Sequence, residues 1–445
     1  MIRLKYLNSL IMLKNIKIYK PYSGQLISIL FNIFPLIMLM PSGYITFYLA
    51  FFIIYSYTFL FIKKIILKIF FIDYLIFIFF VLSIISTIIN QDNAANYIIL
   101  SKSIADIRFA LLFLLIRNLF YHKIIRVNIL LIFSLACTIF LSLDIFLQFL
   151  SGKDILGYPE INVRYSGVFG DEAIAGGYIQ KFSILAIVAC FFLKFNKLIN
   201  KNLFIVFVAT ILGIGILLTL DRMPFIIYFS SLFLLLILFK NNRKQIFLSI
   251  ILIIFLFLVI YKNNDLVNRR YYPIYHIIKI AITQNIHVSV NKKNENLEVL
   301  SMNTGIEYLK IFNSALYVFK NQFWLGSGTK SYLKNCVKLI KYNKNLLCAP
   351  HPHNIYLEIL INQGIIGMFI FVIFLTLLFK KYYFSLTKLK MSNNKLLKIS
   401  FLIILITELW PLRTYGSIFQ TVNGSLFWFL ISISSSNFLT KRFKQ

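Results

Sequence analysis

The sequence predicts an all-α protein that crosses a membrane many times. Of its 445 residues, 59% are hydrophobic and 14% are charged, whereas a soluble domain has about 45–50% apolar and about 25% charged residues. The apolar residues form runs of about 17 to 25, each long enough to cross about 30 Å of hydrocarbon. These runs lack the alternation of barrel strands, so in lipid they satisfy their backbone hydrogen bonds only as helices. A soluble globular enzyme is excluded.

A window of about 19 residues predicts twelve membrane-spanning helices. We interpret the segment before the first span, which ends at Lys20, as an uncleaved cytoplasmic leader, because no small-residue cleavage site follows the first apolar run. Nine spans precede one long hydrophilic loop and three follow it. The predicted centres are Phe34, Phe52, Phe79, Leu112, Ile139, Val188, Ala209, Leu232, Ile254, Phe371, Ile404 and Phe429.

The basic residues predict the orientation of these spans, because cytoplasmic loops are enriched in Lys and Arg. With a cytoplasmic N-terminus, the inner segments hold 26 Lys and Arg residues and the short outer loops hold 7. We therefore expect both termini in the cytoplasm. The net charge of +31 is spread over short clusters between spans and forms no basic domain, so we exclude nucleic acid as a partner and expect membrane lipids.

One long loop, residues 262–353, is expected on the outer face, within a single membrane domain of residues 1–445. Its first part, Tyr271–Leu300, is polar and rich in Asn and Lys, which is typical of loop or linker. The part Gly305–Lys320 has apolar residues at helical spacing, which predicts an amphipathic helix lying on the membrane. The Gly-Ser-Gly sequence at 326–328 predicts a turn after this helix.

The four cysteines divide between the spans and the outer loop. Cys137 and Cys190 lie inside predicted spans, where a cysteine packs as a small apolar residue. Cys336 and Cys348 lie in the outer loop, where an oxidising compartment allows either a disulfide or two free thiols. Zinc binding by these cysteines and the nearby histidines is a further alternative.

Arginine is the minority cation of this chain, since 11 of the 46 basic residues are Arg. Arg164, Arg222 and Arg413 lie in short outer loops, where few cations are expected. Charges at a membrane edge are usually functional or paired. A guanidinium matches phosphate oxygens with two parallel hydrogen bonds, which an ammonium cannot do. Arg164 and Arg222 therefore predict a diphosphate-binding site, with Arg413 and Glu172 as secondary candidates.

The structural alternative for these arginines is an ion pair with a carboxylate close in sequence. Asp171 or Glu172 would pair with Arg164, and Asp221 would pair with Arg222. Such pairs leave the guanidinium with a purely structural role at the end of a span.

The strongest local signal is the sequence APHPHNIYLEILINQGIIG, in which the long loop meets the tenth span. It contains His353 and Asn354, followed after nine residues by Gly364 and Gly367, a spacing that lets helix backbones approach closely. A histidine titrates near operating pH and can take a proton from an attacking hydroxyl, and Asn354 would orient the histidine or the sugar. A structural histidine is the alternative, and His351 competes with His353 for the catalytic role.

These residues resemble the O-antigen ligases and the related O-antigen polymerases. His353, Asn354 and the GxxG pair match the ligase motif without a gap. The segments RYSGVFGDEAIAGGYI, which begins at Arg164, and LTLDRMPF, around Arg222, look like the two arginine-bearing segments of the family. The sequence WLGSGTKSYLKNC followed by CAPHPHN is similar to the ligase subgroup that has paired loop cysteines.

The resemblance implies a glycosyltransferase of the bacterial inner membrane. Its members move a glycan from undecaprenyl diphosphate to a sugar hydroxyl of lipid A-core on the periplasmic face, without a metal or another cofactor. By resemblance, Arg164 and Arg222 bind the diphosphate. His353 activates the acceptor hydroxyl, which attacks the anomeric carbon with inversion.

Other functions remain open from the sequence. An O-antigen polymerase, which joins two lipid-linked repeats, also needs outer arginines, but the His-Asn spacing and the loop cysteines favour the ligase. A ligase that transfers glycan to protein also fits the sequence. A flippase or transporter would have charged residues near the centres of spans, for which Asp144 and Glu408 are the best candidates and give little support.

Overall fold

The structure, a computed structural model, describes residues 24–90, 96–160, 164–193, 200–272, 295–343, 346–387 and 393–436. Within these residues the regular secondary structure is helical, apart from one isolated antiparallel bridge between Lys153 and Pro159. The first helices are α1 Gln25–Asn32, α2 Phe34–Ile37, α3 Ser42–Ile62, α4 Phe71–Ile89, α5 Asn96–Ala105, α6 Ile107–Tyr121, α7 Asn128–Ser151 and α8 Ala175–Phe192. They are followed by α9 Lys201–Leu218, α10 Arg222–Leu238, α11 Arg243–Asn263, α12 Glu295–Asn321, α13 Tyr332–Ile340, α14 Ile355–Thr387, α15 Asn393–Glu408 and α16 Thr421–Ser435.

Among the described residues, seven helices are long and apolar enough to cross a membrane, namely α3, α4, α7, α8, α9, α11 and α14. Each coincides with one of the twelve predicted centres. The chain is therefore a helical membrane protein with multiple spans. Four other predicted centres lie on helices of 15–17 residues, which are α6, α10, α15 and α16.

The span predicted near Phe34 is two short helices in the structure. Helix α1 has 8 residues and α2 has 4, and Ile33 separates them. Pro35 lies in the first turn of α2, where a proline has no N–H to continue the preceding helix. Hydropathy registers the apolar residues of this segment but not the break at Ile33, and a membrane span centred near Phe34 stays a prediction.

Two helices form the centre of the bundle. In α8 every residue from Tyr178 to Cys190 is buried, and in α16 every residue from Gly424 to Ser435 is buried. Helix α8 packs against α7, α9, α10 and α15, while α16 packs against α3, α6 and α15. By contrast, α11 exposes large apolar side chains such as Phe255, as a lipid-facing helix does.

The long loop contains more helix than the sequence predicts. The predicted amphipathic helix is α12, which begins at Glu295 rather than Gly305, so the last six residues of the predicted linker are helical. Residues 265–272 are also helical, and α13 was not predicted. The remainder of the predicted linker, residues 273–294, lies outside the described residues.

Helix α12 packs on the protein with one apolar face. Ile311, Ala315 and Val318 are buried against Tyr332 and Cys336 of α13. A disulfide joins Cys336 to Cys348, with a Cα–Cα distance of 5.7 Å. The pairing closes the loop over α12 and removes both thiols as zinc ligands, so the zinc alternative fails for these cysteines.

The glycine motif of α14 is the place where the loop attaches to the bundle. Gly364 has φ +66° and interrupts the helix, and a Cβ at this position would collide with the carbonyl oxygen of Trp324. At the same break, the N–H of Ser327 donates a hydrogen bond of 2.6 Å to the carbonyl oxygen of Ile361. The sequence predicted a close backbone approach here, and the approaching backbone is that of the loop, not of another helix.

Candidate active site

A cavity of about 660 Å³ lies where the long loop meets the ends of several helices. Its walls come from the N-terminal ends of α8 and α10, the helical residues 265–272, the middle of α12, and the turns before α14 and after α15. Five of the residues singled out from the sequence line it, namely Arg164, Arg222, His351, His353 and Arg413. Residues far apart in the chain therefore meet at one site.

Arg164 forms an ion pair with Asp221. The guanidinium Nη1 lies 3.3 Å from the carboxylate Oδ1, and both side chains are partly exposed to the cavity. The sequence suggested Asp171 or Glu172 as the partner of Arg164 and Asp221 as the partner of Arg222. That assignment was wrong for Arg164, because the fold brings its loop onto the turn before α10.

The turn that carries Asp221 and Arg222 has an unusual backbone. Leu220 has φ +60°, a conformation that non-glycine residues rarely adopt. Gly176 in the first turn of α8 allows the close approach, because a Cβ there would come within 2.6 Å of the Thr219 hydroxyl. This packing fixes the start of α10 against the start of α8 and places Arg222 on the cavity wall.

Arg270 is a third guanidinium on the cavity wall and was not singled out from the sequence. Its Nε donates a hydrogen bond of 3.0 Å to the carbonyl oxygen of Leu220. The pKa of Arg270 is lowered, first by burial and then by the neighbouring guanidiniums of Arg164 and Arg222, while Asp221 acts in the opposite direction. The three guanidiniums share the cavity lining with the carboxylate of Asp221, and this excess of positive charge favours an anion with several negative oxygens.

The loop that carries Arg164 is anchored by α7. The carboxylate of Asp144 accepts hydrogen bonds from the N–H groups of Ile155, at 2.8 Å, and Val168, at 2.9 Å. Gln148, one turn further along α7, accepts one of 2.9 Å from the N–H of Gly167. Asp144 was the best candidate for a transport residue, and these contacts give it a structural role in the loop.

His353 stands at the cavity in a strained conformation. Its φ is +53°, and such conformations in non-glycine residues cost about 1–3 kcal/mol and concentrate at functional sites. The ring of Tyr308 meets the His353 ring edge to face, with centroids 5.5 Å apart. The His351 ring lies 4.1 Å from that of His353, centroid to centroid.

Burial shifts the pKa of both histidines in the same direction. The pKa of His353 is lowered by burial. The pKa of His351 is lowered to about 4, first by burial and then by the neighbouring His353. Both imidazoles are therefore neutral at pH 7, and a neutral imidazole is the form that accepts a proton.

Asn354 is not among the residues that line the cavity. Its Oδ1 accepts hydrogen bonds from the N–H groups of Tyr356, at 3.0 Å, and Leu357, at 3.2 Å, so it caps the start of α14. Its Nδ2 donates a hydrogen bond of 2.7 Å to the carbonyl oxygen of Pro411. These contacts fix the backbone beside His353 and occupy both ends of the Asn354 amide.

Arg413 lines the cavity but its guanidinium is already engaged in a buried cluster. It pairs with Glu408 at 2.7 Å and donates a hydrogen bond of 2.7 Å to Oε1 of Gln180. The hydroxyl of Tyr415 donates to the same Glu408 carboxylate at 2.8 Å, and Lys181 lies 4.0 Å from it. Glu408, the second transport candidate, is thus the centre of a charge cluster that supports the cavity wall.

Glu172 lies in a separate cavity next to this one, with Lys102, Asp106, Arg108 and Lys330. Among the described residues Glu172 forms no ion pair with Arg164, and it does not line the cavity that contains His351 and His353.

Comparison with known families supports one assignment. Residues 205–372 match the family model described as O-antigen ligase. The matched range contains Arg222, Arg270, His351 and His353 of the cavity lining, whereas Arg164 and Arg413 lie outside it. A comparison with curated proteins gives no match. The segment 205–372 of this chain is therefore similar to the O-antigen ligase family.

Proposed function

We propose that the protein is a glycosyltransferase that moves a glycan from undecaprenyl diphosphate to a sugar hydroxyl of lipid A-core. The observation that carries this proposal is the meeting of three guanidiniums, Arg164, Arg222 and Arg270, with the imidazole of His353 around one cavity. The similarity of residues 205–372 to the O-antigen ligase family supports the reaction class.

The arginines would bind the diphosphate of the donor. A lipid-linked diphosphate has several anionic oxygens, and a guanidinium binds two oxygens at once through parallel N–H groups. As the glycosidic bond breaks, negative charge builds on the leaving diphosphate, so fixed cations stabilise the transition state more than the ground state. Asp221 would hold Arg164 in place until the diphosphate enters.

His353 would act as general base. The acceptor hydroxyl oxygen forms a bond to the anomeric carbon while its proton passes to the neutral imidazole of His353. The bond from the anomeric carbon to the diphosphate oxygen breaks, and undecaprenyl diphosphate leaves with the electron pair. Attack opposite the leaving group inverts the anomeric centre. His351, whose pKa is lowered to about 4, is the weaker base of the two.

We further propose that the chain is a single domain, residues 1–445, with twelve spans in the bacterial inner membrane. Both termini would be cytoplasmic, and loop 262–353 would be periplasmic. The support is that the cavity residues come from segments that the charge distribution assigns to the outer face. A membrane-impermeant thiol reagent on intact spheroplasts should label a cysteine introduced at Lys310, which is exposed. Labelling only after permeabilisation would invert the orientation.

Reconstitution of the purified protein tests the function. The enzyme is mixed with undecaprenyl-diphosphate-linked glycan and offered either lipid A-core or a second lipid-linked glycan as acceptor. We expect glycosylated lipid A-core as the product. A longer glycan still attached to undecaprenyl diphosphate would identify a polymerase instead, and transfer only to an added protein acceptor would identify a protein ligase.

A further inference from the structure

A second cavity of about 630 Å³ adjoins the candidate active site. Ala173, Ile174, Val422 and Asn423 line both cavities, so they form the boundary between them. The second cavity is bounded by the ends of α5 and α6, the loop before α8, the turn before α13 and the start of α16. It lies at the same end of the bundle as His353.

The lining of this second cavity carries both positive and negative charges. Lys102, Arg108 and Lys330 contribute three cations, and Asp106 and Glu172 contribute two carboxylates. Arg108 lies 4.0 Å from Asp106 and donates a hydrogen bond of 3.3 Å to the hydroxyl of Thr421. Cations next to hydroxyl and carboxylate groups are a lining suited to a sugar that carries an acidic group, because sugar hydroxyls both donate and accept hydrogen bonds.

Lys330 is held at the cavity by a strained backbone. Its φ is +58°, a conformation that costs a non-glycine residue about 1–3 kcal/mol. The residues on both sides are anchored: the N–H of Thr329 donates a hydrogen bond of 3.0 Å to the hydroxyl of Thr87, and the Ser331 hydroxyl donates one of 2.7 Å to the carbonyl oxygen of Gly328. The neighbouring contacts therefore hold the backbone at Lys330 in place.

The cations of the second cavity crowd one another. The pKa of Lys330 is lowered, first by burial and then by the ammonium of Lys102, while Asp106 acts in the opposite direction. A bound anion would relieve this repulsion, since opposite charges at close range favour the charged form of a lysine. Arg108 pairs with Asp106, whereas Lys102 and Lys330 have no carboxylate at ion-pair distance among the described residues.

We propose that the second cavity binds the acceptor glycan through a phosphate group, with Lys102, Lys330 and Arg108 as the binding cations. This inference rests on the proposed transferase function, which requires two substrates at adjoining sites. Binding both reactants side by side converts the transfer into an effectively unimolecular step. The donor diphosphate is assigned to the three-guanidinium cavity, so the acceptor takes the second, and its hydroxyl passes Asn423 to reach His353.

The test measures the two substrates separately in the reconstituted transfer assay. Lys330→Gln and Lys102→Gln remove exposed cations and leave the buried contacts in place. We expect each to raise the KM for lipid A-core about tenfold while the KM for the lipid-linked donor stays within about twofold. Lys310→Gln, an exposed lysine of α12 that lines neither cavity, is the matched control and should change neither constant.

Dephosphorylated lipid A-core is the second probe. With it, the wild type should already show a raised acceptor KM, and Lys330→Gln should add little more. A raised donor KM in the variants would assign the cavity to the donor glycan and overturn the inference, as would unchanged constants for both substrates. A wild type that elongates lipid-linked glycan but never glycosylates lipid A-core would instead overturn the proposed function.

Discussion

The N–H of Tyr415 donates a hydrogen bond of 2.8 Å to the carbonyl oxygen of His353. This bond connects the proposed base to the turn after α15, and the hydroxyl of the same tyrosine binds Glu408. The strained backbone of His353 is thus held by a buried charge cluster. Changes in that cluster should reach the reaction without touching the substrate.

Replacing Glu408 with Gln should therefore damage both stability and transfer. The change leaves Arg413 and Lys181 buried without their shared carboxylate, and breaking a buried ion pair costs roughly 3–5 kcal/mol. Thermal unfolding in detergent should show a lower Tm, and the folded fraction should have a reduced kcat with donor affinity largely kept. Asp265→Asn, at an exposed position, is the control. Equal stability of the two variants would contradict the role given to the cluster.

Arg270 offers a matched test of the diphosphate site, because Arg269 beside it is exposed and does not line the cavity. Arg270→Lys keeps the charge but loses the paired N–H groups, so kcat/KM for the donor should fall about 100-fold, or about 2.7 kcal/mol. Arg269→Lys should behave as wild type in the same transfer assay. Equal activity of both lysine variants would mean that only charge matters at this position.

The pH dependence of transfer should report the neutral histidine. A general base works unprotonated, so the rate falls as pH drops through its pKa. Because burial lowers the pKa of His353 below the ordinary 6.5, the midpoint of the decline in kcat/KM for the acceptor should lie below pH 6.5. His351→Ala should leave this profile in place, whereas His353→Ala should abolish transfer. A profile that already declines between pH 8 and 7 would argue against this base.

Gly364 tests the attachment of the loop to α14. Alanine at this position must take up φ +66° and collide with the carbonyl of Trp324, so we expect a loss of at least about 1–3 kcal/mol in stability. The Gly43→Ala variant is the control, since nothing lies near that position and alanine stabilises a helix by roughly 0.5–1 kcal/mol relative to glycine. Equal free energies of unfolding for the two variants would mean that the helix break at Gly364 does not contribute to stability.

Much of the candidate site could be predicted from the sequence, because the positions of the arginines and the histidine motif both indicated the outer face. Arg164 and Arg222 were notable as arginines in outer loops of a lysine-rich chain, and His353 was notable beside the GxxG spacing. The same reasoning applies to Arg270, which lies near the start of the long loop. It was missed because only the arginines of the short outer loops were considered, where the rule on basic residues applies.

Other features depend on tertiary contacts that no local pattern reveals. Asn354 follows the histidine in the motif, which suggested a catalytic role, yet its amide caps α14 and holds the turn at Pro411. The partner of Arg164 is Asp221, which lies 57 residues after it in the sequence. Hydropathy also missed the break at Ile33, because an apolar run looks the same with or without a proline in it.

In the proposed mechanism, Arg222 binds the donor diphosphate and His353 takes the proton of the acceptor hydroxyl. Equilibrium binding of undecaprenyl-diphosphate-linked glycan to purified wild type, Arg222→Lys and His353→Ala separates these two roles, with transfer measured on the same samples. We expect His353→Ala to bind the donor within about threefold of wild type but to transfer nothing, and Arg222→Lys to bind about 100-fold more weakly. Undiminished donor binding by Arg222→Lys would show that Arg222 does not bind the diphosphate.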